Sequence, residues 1–64
     1  MKLKVYFVDG AFIGEHPFNG VPFVGDSFLM SFDLDDLHVK DALVYVKSRR
    51  WGLDGNLELI INFE

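Results

Sequence analysis

The sequence predicts an all-β domain: a small five-stranded barrel or roll, with residues 1–64 forming one unit. Three observations carry this expectation. Val, Ile, Phe, Tyr and Trp supply 20 of the 64 residues, while Ala occurs only twice and Thr, Gln and Cys are absent. Such side chains fit a pleated, half-buried surface better than a helix. Apolar runs are cut at short intervals by Gly, Pro, Asp-Gly and Asn-Gly, the residues that turns require. A chain of 7.3 kDa also buries only roughly 60% of its unfolded surface. Without cysteine it has neither disulfides nor a thiolate zinc site, so a dense aromatic core, self-association, or both must stabilise it.

Each element follows in order. Lys2 to Val8 alternates, with Leu3, Val5 and Phe7 on one side and Lys2, Lys4 and Tyr6 on the other. Asp9-Gly10 then reads as a two-residue hairpin turn. That turn places Val8 opposite Ala11, Tyr6 opposite Ile13 and Lys4 opposite Glu15, the last a pair of opposite charges. His16 to Pro22 is turn-rich, and Phe18 and Phe23 are expected to tuck this loop onto the core. Ser27 to Phe32 is a further extended run, and Asp33 to Asp36 is expected to break it, with a short helical turn near 34–38.

Residues 38–51 fit two periodicities. As a strand, Leu43 and Tyr45 alternate with Val44 and Val46. As a helix, Val39, Ala42, Leu43 and Val46 recur at helical spacing, with Asp33 or Asp35 as N-cap. The alternative fold is therefore α+β, with one helix at about 35–48. The strand is preferred because Val-Tyr-Val is β-prone and because Leu57–Phe63, beyond the Asp54-Gly55 turn, needs a partner. A two-residue turn there sets Val46 opposite Phe63. A three-residue loop with Gly55 left-handed sets Trp51 opposite Leu57, Arg50 opposite Glu58 and Tyr45 opposite Phe63, a better match in chemistry. Five short strands with a long loop after the first hairpin resemble the general plan of SH3-like and OB-like small barrels.

The net charge is −4 and the pI about 4.9. Between Val5 and Val39 there is no Lys or Arg, but Asp9, Glu15, Asp26, Asp33, Asp35 and Asp36 all fall there. An acidic region and a smaller basic strip are expected. No signal peptide is recognisable and no apolar stretch approaches the ~20 residues of a membrane-spanning helix. The expected setting is cytoplasmic, and the Met start and absence of a tail predict a whole gene product.

Chemistry-bearing patterns are sparse. Ser27, Ser31, Ser48, His16 and His38 show no nucleophile-positioning motif, so the chain is not expected to be an enzyme. Asp26, Asp33, Asp35 and Asp36 match only one step of a calcium loop and read more simply as a solvated turn. No metal and no cofactor are expected. Alternate residues of a strand share a face, so Tyr45, Lys47, Arg49 and Trp51 are expected to line up as aromatic, base, base, aromatic, a platform on which nucleic-acid bases stack while phosphates meet cations. The net negative charge opposes that reading, since phosphate contacts dominate such affinity.

The leading expectation is a protein-binding or inhibitor-type module that occludes a partner sterically and electrostatically, forms a homodimer or small homo-oligomer, and comes from a phage or mobile element. Tyr45, Lys47, Arg49 and Trp51 form its aromatic–basic patch, Asp33, Asp35 and Asp36 its acidic patch, and Phe18 and Phe23 its loop anchors. The alternatives are a single-stranded nucleic-acid-binding small barrel and a self-assembling structural protein.

Overall fold

A computed structural model describes residues 1–64 as five strands: β1 (Lys2–Phe7), β2 (Phe12–Pro17), β3 (Ser27–Leu34), β4 (Leu37–Trp51) and β5 (Leu57–Phe63). They form one sheet in the order β2-β1-β5-β4-β3, curled into a half-barrel. β1 and β5 run parallel and every other neighbouring pair is antiparallel. β2 and β3 are the two edges, and the loop from Phe18 to Asp26 runs from one to the other.

Alternation decides which face is buried. Leu3, Val5, Phe7, Met30, Phe32, Val44, Val46, Leu59 and Ile61 fill the concave side together with Ile13. Val5, Val44, Val46, Leu59 and Ile61 are fully enclosed. Each such side chain contributes roughly 1.5–3 kcal/mol through removal of apolar surface from water. Phe7, Phe32 and Phe63 stack at one end of this core, with ring centroids 5.1–6.3 Å apart.

Both Asp-Gly hairpins adopt the same three-residue loop. In the first, the Phe7 N–H donates to the Ala11 carbonyl and the Gly10 N–H to the Phe7 carbonyl, with Gly10 at φ 96°. In the second, the Gly52 N–H donates to the Asn56 carbonyl and the Gly55 N–H to the Gly52 carbonyl, with Gly55 at φ 81°. The second agrees with the expected pairs Trp51–Leu57 and Arg50–Glu58, although Tyr45 meets Asn62 rather than Phe63. The first keeps Lys4 opposite Glu15 but sets Tyr6 opposite Phe12 instead of Ile13. The extra loop residue shifts the register, and a bulge beside Gly14 restores it further along.

The stretch at 35–48 is strand, not helix, and no helical turn forms near 34–38. β3 runs on to Leu34, and Asp35-Asp36 is a two-residue connection with Leu34 opposite Leu37. Asp35 takes φ 54°, which aspartate tolerates better than most residues. β4 is consequently 15 residues long. Its first part pairs with β3 and its last part with β5, and bulges near Asp41 and Lys47 bend it between the two. No helix is long and apolar enough to cross a membrane.

Candidate functional site

The bulge at Lys47 decides the geometry of the aromatic–basic cluster. Before it, Tyr45 lies opposite Asn62; after it, Arg49 lies opposite Leu59 and Trp51 opposite Leu57. Leu59 and Asn62 project to opposite faces of β5, since successive side chains alternate. The expected single face of Tyr45, Lys47, Arg49 and Trp51 is therefore split: Arg49 and Trp51 share the concave face, and Tyr45 does not. One inserted residue reverses the alternation, and composition gives no sign of it.

Arg49 and Trp51 sit where the core runs out, at the end of the half-barrel that also carries the Phe18–Asp26 loop. The Arg49 guanidinium lies 5.3 Å from the centre of the Phe23 ring and donates through Nη1 to the Pro22 carbonyl at 3.3 Å. Val21, Val24, Arg49, Arg50, Trp51 and Leu57 line a groove of about 460 Å³. Trp51 also borders a second groove, shared with Lys4, Tyr6, Arg50, Leu53 and Asp54. Trp51 thus borders both grooves, with Val24 in the first and Leu53 in the second, and Phe23, Val24, Trp51 and Leu53 are all exposed, Trp51 at 74% and Leu53 at 112%. Phe18, by contrast, is half-buried and packs edge-on against Phe28 at 5.5 Å. Of the two expected loop anchors, only Phe18 plugs the core; Phe23 stands outside it, held by Arg49.

Sequence reasoning missed Val21, Val24, Leu53 and Leu57 as parts of this surface. Leu53 did carry a signal, because an apolar residue at the tip of an Asp-Gly loop has no strand face to turn inward.

The convex side next to the cluster is tied by ion pairs. Arg50 Nε donates to Glu58 Oε1 at 2.9 Å and stacks 4.6 Å from the centre of the Tyr6 ring. Lys4 Nζ donates to Asp54 Oδ2 at 3.0 Å. Glu58 and Asp54 raise the pKa of Arg50 and Lys4 respectively, chiefly through these hydrogen bonds. Asp54 is lowered to about 2, first by the Asn56 backbone N–H and then by Lys4. Lys47 and Arg49 have no carboxylate partner.

Asp33, Asp35 and Asp36 lie on the β3–β4 hairpin, at the start of β4 and so at the opposite end of the molecule from Trp51. They do not converge with other ligand types into a group able to hold a metal ion. Asp33 instead meets His38 Nδ1 across the hairpin. Elsewhere Ser31 Oγ is hydrogen-bonded with Asp41, Ser27 Oγ with Glu64, and His16 Nε2 with the Ile13 carbonyl. No serine hydroxyl is hydrogen-bonded to either imidazole. The chain matches no family model, no curated protein and no solved structure.

Proposed function

We propose that this protein is a binding module that docks another protein against the end of the half-barrel bearing Phe23, Val24, Trp51 and Leu53. The observation that supports the reading is the exposure of these four large apolar side chains about two grooves that meet at Trp51, with Phe23 held beside them by Arg49. Clustered exposed apolar side chains on a small domain mark an interaction site, and aromatic and arginine anchors dominate the energetics of such sites. The mechanism is occlusion: the apolar end covers part of the partner, while Lys47 and Arg49 steer the encounter.

The rival reading, a single-stranded nucleic-acid-binding barrel, relies on a row of rings flanking cations. With Tyr45 on the other face, that row shrinks to Arg49 and Trp51, and the net charge of −4 still opposes phosphate.

The test is capture from the native host by the wild-type chain and by a Trp51→Ser/Leu53→Ser variant. The expected outcome is a protein retained by the wild type and lost from the variant at unchanged melting temperature. Equal capture by both removes the site from the reading. Quenching of Trp51 by oligonucleotide with steep salt dependence moves it to nucleic acid.

A further inference from the structure

We infer that the groove beside Arg49 and Trp51 is an unoccupied strand position that accepts an acidic extended peptide by β-strand addition. This rests on the protein-binding reading above and specifies its mode and the partner's chemistry. β3 accompanies β4 as far as Tyr45, and the residues just before it extend the pairing only to Val46, where the Gly25 N–H donates to the Val46 carbonyl at 2.8 Å and the Val46 N–H to the Asp26 carbonyl at 2.9 Å. There the chain leaves the sheet through a turn closed by the Asp26 N–H on the Phe23 carbonyl at 3.0 Å. β4 continues to Trp51 with β5 alone beside it. The position next to Lys47–Trp51 is vacant over five residues, roughly 16 Å at strand rise.

The backbone there is set for pairing. The Gly52 N–H points toward β5, where it donates to the Asn56 carbonyl at 2.8 Å. Hydrogen-bonding direction alternates along a strand, so the N–H and C=O groups of Arg49 and Trp51 point away from β5 into the vacated position. Neither residue has a backbone hydrogen bond on that side. Two residues spaced by two, each offering a donor and an acceptor, are what an added strand engages. Val21, Val24, Leu57 and the Trp51 ring supply apolar seats for its side chains.

Charge selects the occupant. Lys47 and Arg49 have no carboxylate partner. The nearby acids are engaged: Glu58 by Arg50, Asp54 by Lys4, and Asp26 by the Phe23 N–H at 2.9 Å. The groove therefore presents net positive charge on a chain that is negative overall, which favours carboxylates flanking an apolar anchor.

The experiment selects displayed random peptides on the folded protein, then titrates the enriched synthetic peptides while amide exchange is followed by NMR. The expected result is enrichment of net-negative sequences with apolar residues at alternate positions, and at least about ten-fold slower exchange at the Arg49 and Trp51 amides on saturation. Lys47→Glu, which reverses a charge at the start of the vacant stretch, is expected to weaken binding by about ten-fold, equivalent to about 1.4 kcal/mol, with the fold intact. Acidic peptides that shift Trp51 fluorescence but leave both amides unprotected overturn strand addition and leave the protein-binding reading standing. Enrichment of neutral or basic peptides overturns the assigned chemistry. Absence of any enriched peptide, or tighter binding of oligothymidine than of peptide, overturns both.

Discussion

Arg50 Nε donates to Glu58 Oε1 across the β4–β5 ladder, and Glu58 is the only charged residue the fold buries. The pair depends on register, since the three-residue loop at Leu53–Gly55 sets these two residues opposite each other. Glu58 at 7% exposure cannot regain full hydration if its partner is lost, whereas the half-exposed guanidinium can. Arg50→Ala is therefore expected to lower the melting temperature by several degrees, measured by circular dichroism. Glu58→Leu added to that variant recovers part of the loss. An unchanged melting temperature for Arg50→Ala means the buried carboxylate is satisfied without its partner.

Core and patch separate by stability. Leu59 is fully enclosed, and Leu59→Ala is expected to cost about 2–5 kcal/mol, most of what a core of this size supplies. Trp51→Ser removes a larger side chain that stands 74% exposed, so its melting temperature is expected to stay within about 3 °C of wild type. A large loss from Trp51→Ser would place the ring in the core and remove it from the binding surface. Paired denaturation curves decide between these outcomes.

Gly55 closes the second hairpin at φ 81°, with nothing within 4 Å of where a Cβ would stand. The constraint is thus backbone conformation alone, and Gly55→Ala is expected to cost about 1–2 kcal/mol. Gly20 has equal space and no left-handed φ. Gly20→Ala is expected to be neutral or slightly stabilising in urea melts, because alanine restricts the unfolded chain.

Asp54 gives the fold an acid-sensitive point. Its carboxyl sits at about 2 rather than 3.8, held first by the Asn56 N–H and then by Lys4. The unfolded chain takes up this proton more readily than the folded one. The contribution is therefore fully present above pH 3.8 and is lost as pH falls through about 2. Carbon-13 titration of the Asp54 carboxyl is expected to show the low midpoint, and Asp54→Asn to flatten the fall in melting temperature across that window. A midpoint near 3.8 removes the Asp54 contacts from the account.

Much of this was legible in the residues. Alternation from Lys2 to Phe7 fixed the core face of β1, and the chemistry of Trp51–Leu57 and Arg50–Glu58 selected the correct loop length. Lys4 met Glu15 as charge pairing implied. Most of what escaped the sequence traces to the bulges. A strand 15 residues long cannot serve two neighbours in a curled sheet without bending, and the bends near Asp41 and Lys47 follow from tertiary closure rather than from local preference. The bend at Lys47 separated Tyr45 from Arg49 and Trp51. Asp33–Asp36 misled differently, because carboxylates that break a helix or cap one also suit a two-residue turn between exposed strands.

The two sheet edges are not equally protected. β2 carries a bulge beside Gly14 and ends in Pro17, devices that discourage a further strand. β3 reads Ser-Phe-Leu-Met-Ser-Phe-Asp-Leu, with no Pro, Gly or Lys, and its bulge lies on the β4 side. Leu29 projects from it at 68% exposure. This edge supports the homodimer reading, and sedimentation at ~50 μM is expected to show a dimer that dilution dissociates. Leu29→Lys places a charge on the exposed edge, where natural sheets use lysine against edge pairing, and is expected to give a monomer with an unchanged melting temperature. A wild-type chain that sediments as a monomer across the concentration range rules out the homodimer. A dimer that survives Leu29→Lys moves its interface away from β3.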